Sequence, residues 1–410
     1  MISNSLREEV YKCIKCGLCM NACPVYKQLY FEAASPRGKV QLIKQVIEGN
    51  LEPSDHFLDL MFTCLLCENC SVNCPSGLKV DRLMKAMRAE LEEKFGLKWQ
   101  KRMAFQLLRS SRLLSFAMFG GRLLGPVLAS NLIKDRKFGT IPYAKIPRIN
   151  RVPLMGQYPE TISPKGHVSG RVLYFVGCAT NYFFENVGLS VVSVLNRLGV
   201  EVIIPKDQMC CGLPIFLSGA RSMAVKNILH NVEILNTHNV DTIIVDCATC
   251  GAALKKEYTN ILEEMGANTD AARAVATRTQ DISQFLSRFD LKKLLGPVRD
   301  RVTYHDPCHL ARSQAIREDP RNLLKMIPEL DFVEMEGADS CCGGGGTFQW
   351  EHPGIASSIT QKKVDAIMQT GASVVASGCP GCRMQIYGNL DTELIQVVHP
   401  VELLAKAMDH

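Results

Sequence analysis

The sequence has few features of a secreted, membrane-spanning or nucleic-acid-binding protein. Its start is polar and carries Arg7, Glu8 and Glu9, so the apolar core of a secretory signal is missing. The longest apolar region, 113–133, contains Arg122 and a Gly-Pro break, both of which hydrocarbon tolerates poorly. We therefore expect no transmembrane helix there but a buried packing element, with a docking hairpin or a membrane-interface helix as the alternatives.

The charge of the chain is nearly balanced. Lys and Arg number 47 against 41 Asp and Glu, which gives a net charge of +6. This excess is small and scattered, so it argues against a nucleic-acid partner. Basic segments such as 98–112 leave an acidic protein or an anionic membrane surface open as partners, although a solvated helix face is the simpler interpretation.

Nucleotide-binding fingerprints are also missing. No GxGxxG follows a strand near the start, so the chain has no recognisable flavin site of its own. The glycine run at 343–346 lacks the lysine of a GxxxxGK[ST] phosphate loop, and the strand before it ends in cysteines.

Cysteine is what the sequence has in abundance, with 18 residues. In a secreted protein such a number would suggest disulfides. Without an export signal, clustered cysteines indicate metal binding in a reducing compartment. We therefore expect a cytoplasmic protein, either free or attached peripherally to the inner face of the membrane.

The first cysteine repeat is short. Its two copies, offset by 51 residues, are Cys13, Cys16, Cys19, Cys23 and Pro24, and Cys64, Cys67, Cys70, Cys74 and Pro75. This Cys-x2-Cys-x2-Cys-x3-Cys-Pro run is that of bacterial ferredoxins, in which the fourth cysteine serves the other cluster. It predicts two cubane 4Fe–4S clusters, one held by Cys13, Cys16, Cys19 and Cys74 and the other by Cys64, Cys67, Cys70 and Cys23. Zinc is the alternative, but a tetrahedral zinc site uses two pairs of closely spaced ligands rather than a triplet with a distant fourth ligand.

Helical patterns surround this first repeat. Ser35 and Pro36 are typical of the cap and first turn of a helix that runs to Ile47, and apolar spacing predicts another helix over 81–95. We therefore expect residues 1–100 to form a mainly helical, ferredoxin-like domain. Arg37 and Lys39 are either exposed charges at the helix start or residues that tune a cluster potential.

The next region, 101–170, is predicted to be a helical and Pro-rich connector. Prolines are frequent from about residue 135 onwards, which favours an extended strap between domains over a folded element.

The second cysteine repeat is long. Its copies, offset by 130 to 132 residues, are Cys178, Cys210, Cys211, Cys247 and Cys250, and Cys308, Cys341, Cys342, Cys379 and Cys382. Short β-branched runs lead to these cysteines, and helical patterns such as 187–198 and 220–235 lie between the runs. The alternation predicts two α/β modules, 171–295 and 296–410, with mostly parallel sheets. The whole chain is thus expected to be an α+β multidomain protein, with its second cysteine set at the carboxyl ends of strands, where ligands gather.

The order of motifs in each copy resembles the cysteine-rich CCG domain: a single cysteine, then Cys-Cys-Gly, then Cys-x-x-Cys. Gly212 and Gly343 follow the paired cysteines, where the backbone must turn tightly. Two ferredoxin motifs followed by two CCG modules resemble the iron-sulfur subunits of glycolate oxidase and FAD-linked D-lactate dehydrogenase over nearly the whole chain. The segments 35–50 and 74–77 resemble them in particular.

This resemblance implies an oxidoreductase complex in which substrate is oxidised on another subunit. Electrons would come from a FAD-containing 2-hydroxyacid oxidase or dehydrogenase acting on glycolate or D-lactate. They would leave toward a quinone or another carrier, such as an electron-transfer flavoprotein.

The complete five-cysteine sets also resemble the catalytic subunits of heterodisulfide reductase, whose CCG modules carry noncubane 4Fe–4S clusters. By that resemblance each set forms one site, so one or two further clusters are implied. Three alternatives for these sites stay open: a cubane cluster, a zinc site, or a mixed use that leaves one thiol per module without a metal. An alternative function follows, the reduction of a disulfide at these sites. His305 and His309 flank Cys308 as donors to a cluster or as structural residues, and no catalytic residue is assigned.

Overall fold

The computed structural model describes residues 4–128, 136–390 and 394–409, and helices dominate its N-terminal part. These helices are α1 (Asn4–Val10), α2 (Leu18–Ala22), α3 (Tyr26–Leu29), α4 (Pro36–Ile47), α5 (Asp55–Phe62), α6 (Asn69–Val72), α7 (Val80–Phe95), α8 (Trp99–Leu108) and α9 (Ser111–Leu128). The predicted cap of α4 is confirmed, since the Ser35 hydroxyl accepts the amide of Gly38 at 2.9 Å. The helix predicted over 81–95 is α7.

The connector is more structured than the sequence suggested. It contains β1 (Lys137–Phe138), β2 (Ile141–Pro142), α10 (Leu154–Gln157) and β3 (Thr161–Ile162). Strands β1 and β2 pair with each other, and β3 joins the sheet of the next module. The expectation of a strap without folded elements was therefore wrong in part, because these short strands find partners that the sequence does not reveal.

The first module, as the structure describes it, is an α/β unit. Its elements are β4 (Gly170–Phe175), α11 (Cys178–Tyr182), α12 (Glu185–Arg197), β5 (Val200–Ile203), α13 (Leu213–Leu217), α14 (Arg221–Thr237), β6 (Ile243–Val245), α15 (Ala248–Ala252), α16 (Tyr258–Glu264), α17 (Asp270–Arg278), β7 (Thr279–Asp281) and α18 (Ile282–Leu286). The strand order is β3-β5-β4-β6-β7, with β3 antiparallel and the other pairs parallel.

The second module repeats this topology. Its elements are β8 (Arg301–Tyr304), α19 (Cys308–Ala311), α20 (Glu318–Met326), β9 (Asp331–Phe332), α21 (Phe348–Glu351), α22 (Pro353–Gln369), β10 (Val374–Ala376), α23 (Pro380–Asn389), β11 (Gln396–Val398) and α24 (Pro400–Met408). Its parallel order, β11-β10-β8-β9, gives these strands the places of β7, β6, β4 and β5. The predicted pair of mostly parallel α/β modules is confirmed.

The two modules share one apolar core. Tyr174 and Ile244 of the first sheet belong to the same buried cluster as Val302 and Val374 of the second. At the carboxyl ends of β6 and β10, the amide of Ala248 donates to the carbonyl of Gly378 at 2.9 Å. The strand ends that carry the cysteines of the two modules therefore meet.

The part of the apolar region whose side chains the structure describes, 113–122, is not the buried packing element that we expected. Leu114 is buried, but Leu113, Phe116 and Phe119 are 52%, 77% and 59% exposed. Residues 129–133 lie outside the described part of the chain. Among the described helices, none has the length and apolar character needed to cross a membrane.

A buried ionic network joins the N-terminal helices to both modules. The Lys85 ammonium of α7 lies 3.0 Å from the Asp81 carboxylate, 2.9 Å from that of Glu257 and 3.8 Å from that of Glu68. Glu68 also accepts the hydroxyl of Ser313 at 2.9 Å. Burial alone would lower the pKa of Lys85, but the three carboxylates outweigh it and raise the pKa. Lys85 therefore stays charged and ties three regions of the chain together.

We predict that Lys85→Met destabilises the protein by about 3–5 kcal/mol, because it leaves buried carboxylates without their cation. The matched control is Lys94→Met on the same helix, whose partner Glu52 is solvent-exposed. The control should cost no more than about 1 kcal/mol. Urea unfolding of the two variants measures the difference, and equal unfolding midpoints would contradict a structural role for the network.

Candidate metal centres

The first cavity lies between the loop before α2 and the segment that precedes α7. It has a volume of about 360 Å³, and its sulfur-bearing lining residues are Cys13, Cys16, Cys19 and Cys74. The Arg37 guanidinium donates to the carbonyl of Lys15 at 3.0 Å and so closes the loop over the cavity. Cys16 is exposed, which places this cavity at the surface of the protein.

The second cavity, of about 460 Å³, lies deeper. It is lined by Cys23, Cys64, Cys67 and Cys70, so each triplet receives its fourth cysteine from the other copy of the repeat. Cys67 is buried, and this burial raises the pKa of its thiol to about 12. Pro36 and Val80 line both cavities, which makes the two cavities immediate neighbours.

The backbone winds around the two cavities in the same strained way. Lys15 and Gly17 have φ angles of 59° and 84°, and the equivalent residues Leu66 and Glu68 have 51° and 60°. A left-handed conformation costs a residue other than glycine about 1–3 kcal/mol, so it persists only where its surroundings impose it. One result is an amide aimed at sulfur, because the Leu66 N–H reaches the Cys64 sulfur at 3.5 Å. Four thiols per cavity, with amides directed at sulfur, fit an iron-sulfur cluster.

Three cations surround the second cavity. Lys39, 3% exposed, donates to the carbonyl of Thr63, while Arg88 donates to the carbonyl of Cys64 at 2.6 Å and Arg312 to that of Cys67 at 3.3 Å. Burial lowers the pKa of Lys39, and negative charge on Cys64 and Cys23 opposes that change. The alternative of an exposed charge is therefore wrong for Lys39. Sequence reasoning missed Arg88 and Arg312, because no motif marks them and only the fold brings them to the cysteines.

The cysteines of the first module converge from three strand ends. Cys178 begins α11, the Cys210-Cys211 pair precedes α13, and Cys247 and Cys250 lie at and within α15. The Cys178 and Cys210 sulfurs are 3.8 Å apart. Hydrogen bonds with Cys210 and then Cys250 lower the pKa of the Cys211 thiol to about 6. All five thiols thus belong to one connected group.

The second module gathers its cysteines in the same way. The Cys342 and Cys382 sulfurs lie 3.4 Å apart, Cys379 hydrogen-bonds to Cys382, and the Gly343 amide donates to the Cys341 sulfur at 3.4 Å. Cys308 begins α19 and interacts electrostatically with Cys342 and Cys379.

The two histidines beside Cys308 have different surroundings. A ring nitrogen of His305 lies within 4.8 Å of the Cys342 and Cys382 sulfurs, and its ring is buried. His309 instead meets the Thr249 hydroxyl of the first module at 3.1 Å. His305 therefore lies among the thiols of the second module, whereas His309 lies at the junction of the modules.

The four groups of thiols form a continuous series. Cys67 of the second cavity interacts electrostatically with Cys308 and Cys341, and these three residues share one apolar cluster. Cys379 of the second module interacts in turn with Cys247 of the first. The order is therefore the surface cavity, the deeper cavity, the second module and finally the first module.

An open cleft lies against α23, the helix that carries Cys382. Its lining includes Arg148 of the connector, Phe184 of the first module, and Arg383 and Tyr387 of α23, and its volume is about 840 Å³. The Arg383 guanidinium, next in sequence to Cys382, lies 4.5 Å from the centre of the Phe184 ring. Its Nε is buried without a hydrogen-bond partner. The cleft thus offers a cationic group and an aromatic ring close to a thiol site.

Comparisons with known proteins agree with this division of the chain. A family model described as a 4Fe-4S dicluster domain matches residues 9–78, and one described as a cysteine-rich domain, CCG, matches residues 172–255 and 302–387.

Several relatives that match nearly the whole chain are named as subunits of oxidoreductases. The probable glycolate oxidase iron-sulfur subunit of Bacillus subtilis is 28% identical and covers 100% of this chain and 97% of its own. A fumarate reductase (CoM/CoB) subunit of Methanothermobacter marburgensis is 31% identical over 96% of this chain and 72% of its own. A dihydromethanophenazine:CoB--CoM heterodisulfide reductase subunit of Methanosarcina barkeri is 25% identical over 98% and 94%.

We predict that Gly343→Ala destabilises the second module. Gly343 has a φ of 87°, and an added Cβ would lie 2.8 Å from the carbonyl of Ala356. Left-handed strain and overpacking together should cost about 2–5 kcal/mol. Gly346 also has a positive φ, of 63°, but open space around it, so Gly346→Ala is the control and should show the strain alone. Thermal unfolding compares the two, and a Gly346→Ala variant as unstable as Gly343→Ala would contradict this account.

Proposed function

Because the chain belongs to the family of CCG-domain iron-sulfur subunits of oxidoreductases, we propose that it transfers electrons from a FAD-containing 2-hydroxyacid oxidase or dehydrogenase subunit. The proposed substrate of that partner is glycolate or D-lactate. Electron transfer as an iron-sulfur subunit is the function that the glycolate oxidase relatives support. The substrate, the flavin and the acceptor are the parts that this proposal adds.

The observation that carries the proposal is the unbroken series of thiol groups. Electron transfer through the chain needs redox sites in succession. The first two groups of thiols share cavity walls, and Cys67 lies in one apolar cluster with Cys308 and Cys341. The Thr249 hydroxyl of the first module lies 3.8 Å from the Cys379 sulfur of the second. We propose that the first two groups hold cubane 4Fe–4S clusters, and that the five-cysteine sets hold one further cluster each, of the noncubane kind. Such clusters would supply one-electron oxidation and reduction.

The partner subunit should dock near the surface cavity. Cys16 is exposed, whereas Cys67 of the next cavity and seven of the ten cysteines of the modules are buried, and the other three are partly buried. Four cationic residues would stabilise the loops around the first two cavities and supply positive charge there: Arg37, Lys39, Arg88 and Arg312.

The acceptor should be bound at the other end of the series. We propose a quinone or another small carrier in the cleft of Arg148, Phe184 and Arg383, with the chain at the inner face of a membrane. Aromatic and apolar walls with a few fixed polar groups are the usual lining of a small-molecule site. Arg148 and Arg383 line the cleft and would be the fixed polar groups of such a site.

Reduction of a disulfide is the second candidate function. The complete cysteine sets of the two modules approach each other, since the hydroxyl of Thr249, which lies between Cys247 and Cys250 in sequence, is 3.8 Å from the Cys379 sulfur. One of the relatives is named as part of a heterodisulfide reductase. The glycolate oxidase relatives, which match across nearly the whole chain, favour electron transfer as the function.

The deciding experiment is anaerobic purification together with co-purifying proteins. We expect a stoichiometric flavoprotein, about 16 irons per chain for four 4Fe–4S clusters, and reduction by a 2-hydroxyacid only when that flavoprotein is present. Turnover of a disulfide with reduced viologen and without any flavoprotein would favour the alternative. Protein without iron and acid-labile sulfide would contradict both.

The serial order can be tested with Cys308→Ser. Because the second module lies between the deeper cavity and the first module, this variant should slow reduction of the first-module site by the partner at least tenfold. The expected slowing is on the order of 1.4 kcal/mol or more in activation free energy. Freeze-quench electron paramagnetic resonance follows each site. Dithionite, a small reductant, should still reduce the first-module site, which controls for its integrity. Unchanged reduction through the partner would contradict the order.

Lys39→Met tests the role of the buried cations. A positive charge favours the reduced, more negative state of a nearby redox site, so its loss should lower one cubane potential by on the order of 60 mV, equivalent to a tenfold change in equilibrium constant. Lys44→Met lies on the same helix but faces partly to solvent, and should leave the potentials unchanged. A redox titration measures both variants, and equal potentials in all three proteins would remove Lys39 from the tuning of the site.

A further inference from the structure

Helices α8 and α9 form a hairpin with an exposed apolar face. Trp99 and Met103 of α8 are 66% and 60% exposed, and Leu113, Phe116 and Phe119 of α9 are 52%, 77% and 59% exposed. We call these five residues the hairpin face. Such a concentration of large exposed apolar side chains marks an interaction surface rather than ordinary solvent-facing helix.

The opposite side of the hairpin is fixed to the first module. Phe105 is 4% exposed and packs into the apolar core beside β4, and Leu114 is 7% exposed. The Ser115 hydroxyl lies 2.7 Å from that of Tyr182. The hairpin is therefore held firmly by one side while its apolar face points away from the protein.

The charge of the hairpin has a single sign. Between residues 96 and 134 the sequence has no Asp or Glu, and its basic residues are Lys98, Lys101, Arg102, Arg109, Arg112, Arg122 and Lys134. Among these, Lys98, Arg102 and Arg112 are exposed beside the hairpin face. The rest of the chain mixes both signs, with 41 acidic residues in total.

We propose that the hairpin face docks on an anionic lipid bilayer. Aromatic and aliphatic side chains flanked by Lys and Arg are the pattern of helices that lie in a membrane interface, where apolar groups enter the headgroup boundary and cations meet anionic lipids. Protein interfaces are also enriched in aromatic residues, Met and Arg, but the absence of any acidic residue over 96–134 favours an anionic lipid surface. The proposal rests on the proposed function in one respect, since it supplies the surface for the suggested membrane attachment.

The hairpin is also fixed to the connector. The middle of α9 contacts it, since Arg122 donates to the carbonyl of Arg151 at 2.8 Å and Gly121 lies against Ile149. These contacts add to those that hold the hairpin on the protein by the side away from the hairpin face.

The test is cosedimentation of the iron-loaded full chain with vesicles of phosphatidylcholine, with or without phosphatidylglycerol. We expect binding that needs phosphatidylglycerol and weakens as salt is raised. Two variants probe the two contributions, Phe116→Ser with Phe119→Ser, and Arg102→Glu with Arg112→Glu. Each should weaken binding about tenfold or more. Leu229→Ser and Arg299→Glu change exposed residues elsewhere and should bind as the unmodified chain does.

Each outcome decides the proposal. No binding to phosphatidylglycerol vesicles, or equal binding by the hairpin variants, would overturn it. Loss of the flavoprotein partner from the hairpin variants, with vesicle binding intact, would assign the face to a protein instead. Dye reduction in solution by the chain and its partner is measured in parallel. It should be unchanged in every variant, so failure of the proposed electron transfer shows there and not in the vesicle assay.

Discussion

The convergence of thiols from distant parts of the chain is the constraint to which the rest of the structure conforms. Cys74 joins the triplet that begins at Cys13, and Cys23 joins the triplet that begins at Cys64. This crossing forces the two loops together and sets α4 and α7 between them. The left-handed backbone of Leu66 belongs to that arrangement, because it turns the Leu66 amide toward the Cys64 sulfur.

Burial of so many thiols brings a second requirement, which is fixed positive charge at the right places. Lys39 and Arg88 are held by carbonyl groups around the deeper cavity rather than by carboxylates, so their charge is not cancelled locally. Lys85 does the opposite, since it is neutralised by three carboxylates and serves to hold regions together. The same residue type thus performs two different tasks, and only its surroundings distinguish them.

The two modules show how a duplicated sheet becomes one redox unit. Equivalent strands carry equivalent cysteines, but the modules pack so that the ends of β6 and β10 meet and the apolar core is continuous. Their environments still differ. His305 lies among the thiols of the second module, while the first module has five thiols in one connected group. A cleft also opens at α23 of the second module, beside Arg383.

Much of this protein follows from the sequence alone. Ligand spacing is local information, so Cys-x2-Cys-x2-Cys and Cys-Cys-Gly predict the type of site, and the offsets of 51 and about 131 predict the repeats. Helices α4 and α7 and the parallel strands were predicted from capping and periodicity, which are also local. Tertiary structure alone decided the burial of Lys39, the contacts of Arg88 and Arg312, the pairing of β3 and the exposure of Phe116. Each of these features depends on which distant segment packs against the residue. The residues next to it in the sequence do not identify that segment.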